Sequence, residues 1–99
     1  MINDLIEGNK LFQKLHYEKY KQHADETIKN GQRPEVMFIG CSDSRVTPDL
    51  MLNTKPGDMF ILRNVGNFVA PFKRSEDFHG SAAAIEYAVS VLNVKNIIV

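Results

Sequence analysis

The chain has 99 residues, of which 43% are hydrophobic, and its 12 Lys and Arg residues balance 12 Asp and Glu residues. This length is too short for several domains, so we expect a single domain over 1–99. A balanced charge gives no net field toward nucleic acid or anionic lipid. We therefore expect neither a nucleic-acid partner nor a membrane partner.

Three features bear on the cellular compartment. The apolar stretch 81–91 is shorter than the ~18 to 20 residues that a membrane span needs. The N-terminal residues 1–4 are not a basic segment followed by an apolar one, as a secretory signal would be. The single cysteine, Cys41, cannot form an internal disulfide. We expect a cytoplasmic protein in which Cys41 is an apolar filler, a reactive thiol or a metal ligand.

Two amphipathic helices are predicted in the N-terminal arm, 1–30. Apolar residues recur at helical spacing from Asn3 to about residue 15, with Asp4 and Glu7 placed as a capping pair. A second helical stripe leads to Asn30-Gly31, a common helix stop.

Residues 31–99 predict a partial α/β core. Short apolar runs without alternation indicate buried strands at 36–40 and 59–62, and a third strand starts at Asn96. Thr47 is placed to cap a short helix, and Ser81 to cap an Ala-rich one. The apolar face of the second of these helices consists of Ala84, Ile85, Ala88, Val91 and Leu92. This order of elements predicts an α/β fold, a parallel sheet with flanking helices.

Polar residues follow two of the predicted strands, where ligand sites of open parallel sheets form. Cys41, Asp43 and Arg45 stand at alternate positions, so their side chains can face one pocket. An Arg can hold a carboxylate through two hydrogen bonds, and a metal can capture a thiolate. The interval from Cys41 to Arg45 is too short for a cysteine phosphatase loop. The remaining alternative is a structural one, with Cys41 as core filler and Asp43–Arg45 as an ion pair that fixes the loop.

Four motifs, in this order, resemble the signatures of the β-class carbonic anhydrases. They are Cys41–Val46, Pro56–Phe60, Arg63–Asn67 and Ile85–Val89. The resemblance implies a zinc-dependent lyase that reversibly hydrates carbon dioxide to bicarbonate and a proton. It leaves open a hydrolase of carbonyl sulfide or carbon disulfide, which would use the same ligands.

The resemblance also assigns roles to individual residues. Cys41 matches a zinc ligand, and Asp43 matches a residue with two states. It either accepts a hydrogen bond from zinc-bound hydroxide while paired with Arg45, or moves onto the metal as a fourth ligand and closes the site. The positions that match substrate-binding residues are Gln32, Phe60 and Tyr87. Their alternative roles are a polar turn residue, a strand core residue and a helix residue packed on the sheet.

The sequence departs from the family in the other two zinc ligands, a His-x-x-Cys segment that follows the third strand and is absent from these 99 residues. We expect His16, His23 and His79 to be surface residues. We also expect a truncated chain that alone lacks strong zinc binding and activity, from a parent that is a homodimer or higher homo-oligomer. The alternative is a non-catalytic relative that serves as a dimerisation or interaction module. Phe38 replaces the Trp of members regulated by bicarbonate at a second site, which argues against such regulation.

Overall fold

The computed structural model describes residues 1–71 and 79–99. These residues form two compact units, Met1–Gln32 and Arg33–Val99. The first unit contains the predicted N-terminal arm, and the second contains the sheet.

The first unit consists of two helices, α1 (Ile2–Leu15) and α2 (Tyr17–Asn30). The ring of Phe12 on α1 lies edge-on to that of Tyr20 on α2, with centroids 5.6 Å apart. Neither helix has a buried residue, and Ile28 on α2 is 80% exposed. In the part of the chain that the structure describes, no helix is long and apolar enough to cross a membrane.

The predicted capping pair of α1 is wrong, because both carboxylates pair with cations instead. Asp4 lies 3.3 Å from the N-terminal ammonium group, and Glu7 lies 3.1 Å from the ammonium of Lys10. The N-cap residue is Met1, which makes no side-chain capping bond.

The second unit is built on a three-stranded parallel sheet of β1 (Val36–Cys41), β2 (Met59–Asn64) and β3 (Asn96–Ile98), in the order β2-β1-β3. Two helices connect the strands along the chain. Helix α3 (Pro48–Leu52) lies between β1 and β2, and α4 (Gly80–Glu86) lies between β2 and β3. The predicted α/β fold with a parallel sheet is confirmed. Because β1 is central and pairs in register with β2, Cys41 lies opposite Asn64 at the carboxyl end of the sheet.

The core lies between the sheet and α4. Met37 and Ile39 on β1 and Ala88 after α4 are buried. The residues packed against them are Phe60, Leu62, Ala84, Ile85 and Val94. The prediction of a buried strand at 59–62 is wrong, since these residues of β2 are half-buried.

The helix that covers the sheet differs from the prediction at both ends. It begins at Gly80 with His79 as N-cap, so Ser81 lies inside the first turn and is not the cap. After Glu86 the chain continues as a π-helical turn, Tyr87–Val91. A π turn holds more residues than an α turn, so the predicted 3.6-residue spacing no longer applies. Val91 is consequently 58% exposed, not part of the apolar face. Thr47 precedes α3 as predicted, without a side-chain capping bond.

Gly40 leaves room for the ring of Phe38 on the same face of β1. A Cβ atom at position 40 would lie 2.7 Å from Cε1 of that ring. We expect Gly40→Ala to force the ring aside and lower the free energy of unfolding by about 1 to 3 kcal/mol, the usual cost of overpacking. Denaturant titration measures it. Gly80→Ala is the control, because a Cβ there meets no atom of the described residues within 4 Å. Equal stability of the two variants would contradict the prediction.

Candidate active site

Cys41 ends β1, where the chain leaves the sheet and its side chain is half-buried. The backbone N–H of Asp43 donates to Cys41 Sγ at 3.4 Å. Hydrogen bonding from the Asp43 N–H, followed by the N–H groups of Gly66 and Asn67, lowers the pKa of the Cys41 thiol, although burial and the Asp43 charge act in the opposite direction. Thiolate is the form that binds metals.

The turn Val65–Asn67 follows β2 directly, so it lies beside Cys41 at the end of the sheet. The side chain of Asn64 closes this turn, because its Nδ2 donates to the Phe68 carbonyl at 2.9 Å and its Oδ1 accepts from the Phe68 N–H at 2.7 Å. Gly66 has a φ of 76°, in the left-handed region that glycine adopts readily. The motif Arg63–Asn67 therefore shapes the backbone next to the thiol.

Asp43 and Arg45 form the two-pronged pair that their spacing predicts. Arg45 Nε donates to Asp43 Oδ1 at 3.0 Å and Nη2 donates to Oδ2 at 2.7 Å. The Arg45 backbone N–H also donates to Oδ1, at 2.9 Å. The Asp43 side chain is 32% exposed and that of Arg45 is 88% exposed. The hydrogen bonds from Arg45 lower the pKa of Asp43 to about 2, and the same carboxylate raises the pKa of Arg45.

The two aromatic residues with a predicted substrate role lie next to each other. The rings of Phe60 on β2 and Tyr87 after α4 have centroids 5.8 Å apart and an interplanar angle of 44°. Phe60 also packs against the core, as its alternative role requires. Gln32 belongs to the first unit, outside the unit that holds Cys41.

One residue without a predicted role, Arg63, contacts the loop. It donates from Nε to the Cys41 carbonyl at 3.0 Å and from Nη2 to the Asp43 carbonyl at 2.8 Å. The sequence signal that could have indicated this contact is the position of Arg63 near the end of a strand that adjoins β1. The sequence could not show that its donors reach backbone atoms 20 and 22 positions away.

The donors available to a metal fit part of a zinc site. A thiolate and a carboxylate are both zinc ligands, and a zinc site usually has four donors. Within 1–71 and 79–99, no group of three or more His, Cys, Asp or Glu side chains is placed to hold a metal ion. His16, His23 and His79 are exposed, as predicted.

The acidity of Asp43 predicts how pH affects stability. Its folded pKa of about 2 lies below the ordinary value of 3.8, so the ionised group stabilises the fold above pH about 4, and this contribution is lost as the pH falls toward 2. We expect the wild type to lose stability against Asp43→Asn over that range, as measured by urea unfolding. A difference between the two proteins that does not change with pH would contradict the assignment.

The structure is thus an α/β protein whose parallel sheet carries a thiol and an Arg-paired carboxylate at the carboxyl end of its central strand, where ligand sites of such sheets form. The family model described as carbonic anhydrase matches residues 36–99. The chain belongs to this family, and its solved relatives place it among the β-carbonic anhydrases.

Individual relatives are similar over nearly the whole chain. The carbonic anhydrase of Synechococcus elongatus is 39% identical over 95 residues, which are 96% of this chain and 34% of that protein. The carbonic anhydrase of Helicobacter pylori J99 is 38% identical over 88 residues, 89% of this chain and 39% of that protein. The structure of the β-carbonic anhydrase CcaA has a TM-score of 0.86 at 35% identity, over 97% of this chain and 42% of that chain. This chain therefore spans less than half the length of these relatives.

Proposed function

We propose that this chain supplies part of the active site of an enzyme that reversibly hydrates carbon dioxide to bicarbonate and a proton. The observation that supports this best is the Asp43–Arg45 pair, two and four residues after the thiol of Cys41, at the carboxyl end of the central strand. Relatives that carry the name carbonic anhydrase support the same activity.

Cys41 would hold zinc as a thiolate, and Asp43 would be a ligand only when released from Arg45. A His-x-x-Cys segment outside these 99 residues would supply the remaining donors. When bound, zinc lowers the pKa of a water molecule to about 7 and thereby supplies hydroxide at neutral pH.

In this proposal, Asp43 orients the nucleophile. With a pKa of about 2 its carboxylate is ionised at neutral pH, so it accepts hydrogen bonds and donates none. Arg45 donates to both oxygens and so fixes the plane of the carboxylate. The carboxylate would therefore accept the hydrogen bond of a hydroxide from one fixed direction.

Phe60 and Tyr87 would form an apolar wall for carbon dioxide, a molecule without net charge or dipole. The two rings lie side by side, with centroids 5.8 Å apart. We propose that Gln32, whose amide both donates and accepts hydrogen bonds, contacts substrate from a second copy of the chain. A pocket built this way requires a homodimer or higher homo-oligomer. Two relatives from Sordaria macrospora are described as tetrameric, one of them 37% identical with a TM-score of 0.65.

The test of the proposed function measures zinc content and the rate of carbon dioxide hydration. We expect no retained zinc and no rate above buffer for the 99-residue chain, which lacks the His-x-x-Cys donors. We expect about one zinc per chain, and activity, for a protein that also contains that segment. A protein with all the ligands but without activity would contradict the proposal.

A second candidate function is an interaction module without catalysis. It is favoured by the apolar side chains that α1 exposes, among them Ile2, Leu5 and Leu15. The hydration rate separates the two functions in the protein that contains the His-x-x-Cys segment, because a module would not hydrate carbon dioxide there.

A further inference from the structure

Arg63 is an exposed cation whose side chain donates to two backbone carbonyls within the described residues. It reaches the Cys41 carbonyl through Nε at 3.0 Å and the Asp43 carbonyl through Nη2 at 2.8 Å. Among the residues that the structure describes, Arg63 has no ion-pair partner within 4.0 Å. A guanidinium presents its donors in a rigid planar fork, which suits two acceptors at a fixed separation. Arg63 thus binds both ends of the segment 41–43.

The same segment is held at two further points. The Ser42 N–H donates to the Asn64 carbonyl at 2.7 Å, and the Val46 N–H donates to the Asp43 carbonyl at 2.9 Å. The Asp43 carbonyl therefore accepts from two donors, one of them charged, and hydrogen bonds from charged groups are the stronger kind. Since β2 provides both Arg63 and Asn64, the end of this strand determines the backbone path of the loop.

We propose that Arg63 is a positioning residue for the Asp43–Arg45 pair. By fixing the carbonyls of Cys41 and Asp43, it sets the position of the Asp43 backbone, and hence of its carboxylate, relative to the thiol. Without this contact the segment 41–43 can adopt other backbone conformations, and the carboxylate leaves Arg45 for part of the time. Such displacements matter at a reacting centre, where about 1 Å can cost about 100-fold in rate. The catalytic consequence rests on the proposed function, whereas the effect on the pair does not.

The experiment follows hydrogen exchange of the Arg45 Nε–H group by NMR in the 99-residue chain, because this hydrogen is bonded to Asp43. In Arg63→Met we expect its exchange to rise about tenfold relative to that of the β1 amides, as expected for the loss of a hydrogen-bonded clamp. Arg63→Lys, which can restore one of the two bonds, should give a smaller rise. Lys95→Met is the matched control, since it also removes an exposed charge and one contact, the 3.0 Å pair with Glu35.

Comparing hydrogen exchange at Arg45 with exchange of the β1 amides distinguishes an effect on the Asp43–Arg45 pair from an effect on the stability of the whole fold. If Arg63 only stabilised the fold, exchange at Arg45 and in β1 would rise together, and that result overturns the proposal. Unchanged exchange at Arg45 in Arg63→Met overturns it as well. If Arg63→Met does not fold, Arg63→Lys decides in the same way. The measurement uses no catalytic activity, so failure of the proposed function and failure of this proposal are distinguishable.

Discussion

Replacing Cys41 with Ser should abolish zinc retention in the protein that contains all the ligands, and carbon dioxide hydration with it. Cys41 supplies the thiolate that this chain offers a metal, and a serine hydroxyl stays protonated at neutral pH where a thiolate forms readily. Loss of a partner that merely orients a zinc ligand costs about 10-fold to 100-fold in affinity or activity. We therefore expect a loss of more than about 100-fold, as measured by zinc content after dialysis and by stopped-flow hydration.

The matched control for this substitution is Ser44→Ala in the same loop. The Ser44 side chain is exposed, and its removal leaves the thiol, the carboxylate and both arginines in place. This variant should retain zinc and activity, and both variants should show the circular dichroism of the wild type. Unchanged metal content in Cys41→Ser would show that Cys41 is not a ligand and would favour its role as core filler.

The fold was largely predictable because its local patterns agree with its packing. The continuous apolar runs of β1 and β2 and the Ala-rich segment that includes α4 supply the core of Met37, Ile39 and Ala88 and most of the residues packed against it. The prediction is wrong at positions where an ion pair or the helix geometry in the structure differs from what the local sequence pattern favours. The Asp4 carboxylate pairs with the N-terminal ammonium group instead of capping α1, and a π-helical turn rotates Val91 out of the apolar face.

At the candidate site, sequence spacing predicted the local contact and missed the long-range one. Asp43 and Arg45 are two residues apart, so their pairing follows from short-range geometry that the sequence shows directly. The contact of Arg63 with the Cys41 and Asp43 carbonyls depends on the register of β2 against β1, in which Arg63 lies opposite Gly40. A one-residue change of register would turn that side chain to the other face of the sheet. The roles of Gln32, Phe60 and Tyr87 remain predictions.

Arg45→Ala is expected to close the proposed active site at neutral pH. Without the two donors of Arg45, the pKa of Asp43 should rise from about 2 toward its ordinary value of 3.8, and the group stays ionised at pH 7. A free carboxylate beside a zinc ion is a competent ligand, so Asp43 should occupy the position that a water molecule needs. We expect activity to fall on the order of 100-fold, with zinc content unchanged.

Two readouts distinguish closure from a simple loss of charge. X-ray absorption should show a carboxylate oxygen on zinc in place of the water oxygen in Arg45→Ala, recognised by scattering from the carboxylate carbon behind it. The double variant Arg45→Ala with Asp43→Ala should lack that carbon scattering. Arg45→Lys is the conservative variant. A lysine retains the charge but not the planar fork, so it should hold Asp43 less firmly and give an intermediate rate. Full activity of Arg45→Ala at neutral pH would show that the pair does not control access to the metal, since the carboxylate would then remain clear of it without Arg45.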